Sequence, residues 1–199
     1  MMIKPFTNLF GGAIFVAILL ATPMATQAAE DAKPPKKMER QFSGVLGTYD
    51  RNALRRGYQV YKEVCATCHG LKHLYFRNLS QVGGPEFTQA EVKALAAQYQ
   101  MVEGPDRFGD MFDRAGLPRD GFPEPYPNDN AARAANGGAL PPDLSLINKA
   151  RGHGADYVYA LLVGYEDTPT GMEMRAGLYY NPYMPGGRIA MPAPLFEDS

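Results

Sequence analysis

Two thiols and an imidazole stand within five residues of each other in Cys65-Ala66-Thr67-Cys68-His69, and they are the densest chemistry in the chain. The CxxCH spacing lets both thiols form thioether bonds to one haem while the adjacent histidine coordinates the iron from below. Two other uses of the pattern carry less weight. A thioredoxin-like dithiol needs a strand leading into the motif, and a zinc site needs a further Cys or His pair, and neither is visible. With only 2 cysteines, both in this motif, the chain has no disulfide framework.

The second axial ligand decides whether such an iron transfers electrons or binds small molecules. A Met thioether raises the reduction potential and a second His lowers it. The chain offers 10 methionines and, besides His69, the candidates His73 and His153. His73 lies too close to His69 to reach the opposite haem face. Composition leaves the choice open.

The elements that must position the motif follow from apolar spacing. Leu54, Tyr58, Tyr61 and Val64 recur at three- and four-residue steps, predicting a helix over Asn52 to Val64 that delivers Cys65 from its C-terminal end. Thr88-Gln89-Ala90-Glu91 has the capping-box form, and Val92, Leu95, Ala96 and Tyr99 follow as an apolar stripe. Helical periodicity returns over Asp143 to Ala150, with Asp143 a candidate N-cap, and over Ala155 to Val163, with Gly164 as a stop. Met101 to Pro142 is rich in Gly and Pro and predicts a large irregular insertion. No stretch alternates long enough to suggest a sheet, and no internal repeat is visible.

The N-terminus reads as an export signal: Lys4 precedes an apolar run from Leu9 to Ala21, and small residues follow at Ala28 and Ala29. Residues 1–28 are expected to be cleaved, 29–41 to form a Lys- and Pro-rich linker, and 42–199 to be one domain. A net charge of −1 supplies no basic field for nucleic acid.

Taken along nearly the whole mature length, the chain resembles cytochrome c1, the haem-bearing subunit of the quinol:cytochrome c oxidoreductase complex. The resemblance rests on Arg56-Gly57-Tyr58-Gln59-Val60-Tyr61, Asn136-Gly137-Gly138-Ala139-Leu140-Pro141-Pro142-Asp143-Leu144-Ser145, Gly177-Leu178-Tyr179-Tyr180-Asn181-Pro182-Tyr183 and Arg188-Ile189-Ala190-Met191-Pro192. It implies a mainly α-helical, class I cytochrome c-like domain carrying one covalent haem c. It also implies Met191 as the distal iron ligand, Arg151 near a haem propionate, Tyr157 near the haem edge, and Asn136 and Pro142 in the haem surroundings. The implied role is electron transfer from a Rieske iron-sulfur protein to a soluble cytochrome c, beside cytochrome b, with no substrate bond made or broken at the haem.

Family chains continue past the methionine ligand into a membrane anchor, so a truncated record is expected, attached to the periplasmic face of a bacterial inner membrane through a segment outside this chain. A free periplasmic carrier, or a haem sensor or enzyme with an open iron position, is the alternative. Between Met101 and Asn130, Glu103, Asp106, Asp110, Asp113, Asp120, Glu124 and Asp129 outnumber Arg107, Arg114 and Arg119. They form either a solvated loop or a negative patch that steers a basic partner.

Overall fold

The computed structural model describes residues 32–195; the expected signal peptide lies outside the described residues. Among the described residues five α-helices form: α1 (Arg51–Glu63), α2 (Gln89–Ala96), α3 (Asp129–Ala135), α4 (Ile147–Ala150) and α5 (Gly154–Val163). Two antiparallel hairpins accompany them, β1 (Gln100–Glu103) with β2 (Phe112–Ala115), and β3 (Tyr179–Tyr180) with β4 (Arg188–Ile189). Strands of four and two residues are too short for an alternation signal, which is why no sheet was expected from the sequence. No helix among the described residues is long and apolar enough to cross a membrane.

Local chemistry explains the helix starts. Asp50 caps α1 by accepting from the Asn52 N–H at 2.8 Å, satisfying a donor that has no intrahelical partner. Thr88 and Glu91 form the expected reciprocal capping box at α2, and the Thr88 hydrogen bonds hold the Glu91 carboxyl below its ordinary value. Inside the Gly- and Pro-rich insertion, Asn128 caps the short α3 through the Ala131 N–H. α4 starts later than expected, at Ile147, and Asp143 is not its cap; its N-cap is Leu146, with no side-chain bond.

The apolar core lies between α1, α2 and the insertion. Phe76, Val92 and Ala96 are fully buried, with Leu79 and Phe122 nearly so, and Tyr58, Tyr61, Leu71, Phe87, Leu95 and Tyr99 pack around them. The Phe76 and Phe122 rings lie 4.5 Å apart, centroid to centroid, and Tyr61 meets Phe122 edge-on. Phe122 belongs to the insertion. Its segment is tied to the chain around Phe76 by the bonds from Phe76 N to Asp120 O (3.0 Å), Arg77 N to Pro118 O (2.8 Å) and Phe122 N to Leu74 O (3.2 Å). A stretch that reads as loop thus supplies a central core residue.

Near the other end, the hairpin β3–β4 is organised by a buried polar side chain. Asn181 is fully buried; its amide donates to Leu161 O of α5 at 2.8 Å, and its side-chain oxygen accepts from the Tyr183 N–H at 3.1 Å. The extended segment before Phe42 packs on the same region: Lys33 N donates to Pro182 O at 2.7 Å, and Arg40 pairs with Asp156 at the start of α5.

Candidate haem site

α1 runs directly into a 3-10 turn, Cys65–Thr67, closed by bonds from Cys68 N (3.1 Å) and His69 N (2.9 Å) to Cys65 O. Residues three apart in a 3-10 turn lie nearly above one another, the arrangement that attachment of Cys65 and Cys68 to a single macrocycle would use. The two cysteines are not joined in a disulfide. Burial, with Cys68 adding to it, pushes the Cys65 thiol up. This is the reverse of a dithiol redox centre, which lowers its thiol at a helix N-terminus; Cys65 follows a helix C-terminus. Among the described residues there is no cluster of three or more His, Cys, Asp or Glu that could hold a metal ion.

Beyond His69 the motif is fastened to a segment far along the chain. His69 Nδ1 lies 2.7 Å from Pro142 O across 73 residues. The same run continues with Leu144 N to Gly70 O (2.9 Å), Lys72 N to the Asp143 carboxylate (2.8 Å) and His73 N to Ser145 Oγ (3.1 Å). A carbonyl can only accept, so the His69 proton sits on Nδ1, which leaves the Nε2 lone pair for a metal and makes it more basic. Burial opposes charge on Asp143, but the N–H groups of Lys72 and Ser145 outweigh it and hold the carboxyl below its ordinary value. The Glu124 carboxylate sits against Gly70, where a Cβ would displace the end of that side chain. Tyr61 completes the clamp by donating to His69 O at 3.2 Å.

The remaining residues named from the sequence fall into separate groups. The Asn136 amide donates to Ala132 O (2.7 Å) and to the Tyr126 hydroxyl (3.1 Å), which in turn lies 3.7 Å from Cys68 Sγ. Tyr157 is half-buried on α5, with its hydroxyl 4.0 Å from Met184 Sδ. Arg151 is exposed, and its guanidinium bonds only to its neighbour's carbonyl, Ala150 O, among the described residues. Met191 is half-buried; its carbonyl accepts from the Tyr165 hydroxyl at 2.9 Å, and burial pushes that phenol up to about 12. No hydrogen bond among the described residues joins Arg151, Tyr157 or Met191 to His69.

Sequence reasoning missed Tyr126, Tyr165 and Asn181 as site-building residues. Asn181 and its neighbour Tyr183 lay within a motif already singled out, and that was the only signal pointing to them. The acidic stretch also reads differently in three dimensions. Arg114 grips Asp120 at 2.6 and 2.9 Å and pairs with Glu103, and Arg119 meets Glu103 at 3.0 Å. Asp106 accepts from the N–H groups of Phe108 and Asp110 within its own turn. Three of the seven acids are therefore committed inside the insertion.

A family model described as the Cytochrome C1 family matches residues 40–199. This chain belongs to the cytochrome c1 family. It is 46% identical over 191 residues to a mitochondrial cytochrome c1 heme protein of Arabidopsis thaliana, covering 96% of this chain and 61% of that protein. It is 47% identical over 200 residues to a cytochrome b/c1 of Bradyrhizobium diazoefficiens, covering 91% of this chain and 29% of the relative. Against the cytochrome c1 of Rhodospirillum rubrum the identity is 43% over 201 residues, covering 93% and 73%. The chain thus spans less than two thirds of the Arabidopsis and Bradyrhizobium proteins. The mainly helical architecture with its irregular insertion is that of a cytochrome c1 haem domain.

Proposed function

We propose that this chain is the mono-haem electron-transfer part of a membrane quinol:cytochrome c oxidoreductase, taking electrons from a Rieske iron-sulfur protein and giving them to a soluble cytochrome c. The observation that carries the reading is the fastening of His69 to Pro142 O next to Cys65 and Cys68, just past the end of α1. Haem c, when bound, supplies a one-electron iron couple. Cys65 and Cys68 hold it as thioethers. His69 Nε2 is the proximal donor, oriented by the Nδ1–H bond to Pro142 O. Met191 is the distal donor, its backbone tethered through Tyr165. Arg151 is exposed, with only one guanidinium nitrogen engaged among the described residues, at Ala150 O, which leaves donors to pair with a propionate. Asn136 and Tyr157 line the surroundings.

Cytochrome b, the Rieske protein and a soluble cytochrome c are the proposed partners, on the periplasmic face of a bacterial membrane. The name of the Bradyrhizobium relative, which joins b and c1, supports the first of these. With Glu103, Asp106 and Asp120 occupied inside the insertion, any steering of a basic partner falls to Asp110, Asp113, Glu124 and Asp129. The reading is tested by the optical spectrum of the reduced holoprotein with and without carbon monoxide, beside a Met191→Ala variant. A sharp low-spin spectrum indifferent to the gas, with that indifference lost in the variant, is the expected result. Ready gas binding by the unmodified protein overturns electron transfer in favour of a sensor or enzyme.

A further inference from the structure

The polar contacts around Cys68 define a direction of hydrogen bonding. Two hydroxyls approach its sulfur: Thr67 Oγ1 at 3.8 Å and Tyr126 OH at 3.7 Å. Thr67 has one proton and spends it on Val64 O at 2.8 Å. Tyr126 is differently placed. The Asn136 amide has two N–H donors and no other role at that end; one goes to Ala132 O at 2.7 Å, and the other points at the phenol oxygen at 3.1 Å. The phenol therefore accepts from Asn136, and its own proton is left for the sulfur. A thioether sulfur has no proton to give, so in the attached state the direction Asn136 to Tyr126 to Cys68 is the only one available.

We infer that Tyr126 is a positioning residue for the haem thioether, donating an O–H···S bond to Cys68 that raises the reduction potential and that Asn136 enforces from behind. This inference rests on haem attachment at Cys68 as proposed above. The physical basis is that the positive end of the O–H dipole, held beside a sulfur bonded to the macrocycle, favours the more electron-rich ferrous state. Hydrogen bonds in series polarise one another, so the Asn136 donor strengthens the Tyr126 bond.

The test is the midpoint potential, by optical spectroelectrochemistry, of the full-length holoprotein and of Tyr126→Phe, Asn136→Leu and the double variant. Covalent haem is checked on each by its colour on denaturing gels. Tyr126→Phe keeps the ring and removes only the hydroxyl. It is expected to lower the potential so that the ferrous-to-ferric ratio at fixed applied potential falls roughly two- to fivefold, the range of one weak neutral hydrogen bond. Asn136→Leu is expected to move it the same way by less, and to add nothing in the Tyr126→Phe background, since it acts through the phenol. An unchanged potential in haem-bearing Tyr126→Phe overturns the inference and leaves the haem reading intact. Full additivity of the two substitutions overturns the relay. Should Tyr126→Phe not mature, an unchanged potential in Asn136→Leu is enough to overturn it. Absence of covalent haem from the unmodified chain overturns both this inference and the function it rests on.

Discussion

Around the segment that carries His69, the fully buried side chains are apolar: Phe76, Val92 and Ala96, with Phe122 against them. Around the segment that leads to Met191 the fully buried side chain is Asn181, supported by the smaller apolar contributions of Ala160 and Ile189. The histidine side is fixed by close packing and by a run of backbone and side-chain bonds between residues 69–73 and 142–145. The methionine side is held by a few directional bonds, those of Asn181 to Leu161 and of Tyr165 to Met191. Packing energy is spread over many contacts and degrades gradually, whereas a buried amide loses its whole contribution when one partner goes. Stability and ligand retention are therefore expected to respond to different residues.

Phe122→Ala should be the most destabilising of these substitutions, by about 3–5 kcal/mol in denaturant unfolding, because it opens a cavity between Phe76 and Tyr61. The surviving folded holoprotein should remain indifferent to carbon monoxide. Asn181→Leu should cost less, about 1–3 kcal/mol, through the orphaned Leu161 carbonyl and Tyr183 N–H. Unlike Phe122→Ala, it should let the reduced protein bind the gas. Equal gas binding by the two variants would break the comparison.

Acid should weaken the histidine side through Asp143. Its folded pKa is depressed, so its contribution is fully present above the ordinary value near 3.8 and is lost as pH falls through the folded value. Unfolding followed between neutral and acid pH should therefore be less pH-dependent in Asp143→Asn. The smallest effect is expected for Arg114→Ala, a small drop in the denaturant midpoint with an unchanged haem spectrum. Its ion pairs to Asp120 and Glu103 are part-buried and lie wholly inside the insertion, away from His69 and its partners.

Much of this organisation is legible in the sequence wherever its cause is local. The stripe of Leu54, Tyr58 and Tyr61 announces α1, and Thr88 with Glu91 announces α2, because both signals depend on residues within one helical turn of each other. The insertion was harder to read. Pro123, Pro125 and Pro127 mark irregular backbone, yet between and beside them stand Phe122, which enters the core, and Tyr126, which reaches Cys68. Proline content reports the backbone conformation and says nothing of where the neighbouring side chains point. Asp143 went wrong for a related reason: a carboxylate ahead of a helical pattern suits a cap, but this one bonds to Lys72 N, from another part of the chain.

Residue type and spacing alone account for the chemistry of the motif. Two thiols and an imidazole at CxxCH spacing, delivered by the end of an amphipathic helix, depend only on neighbouring residues and on the helical period. Tertiary structure decided what that chemistry is fastened to: Pro142 as the acceptor for His69, Tyr126 and Asn136 behind Cys68, and Tyr165 behind Met191. These partners lie 10 to 73 residues apart, and residue type alone offers many equivalent carbonyls and hydroxyls. Which of them meet is set by how the insertion closes over Phe76 and how Asn181 ties the last hairpin to α5, and both depend on the packing of the whole chain.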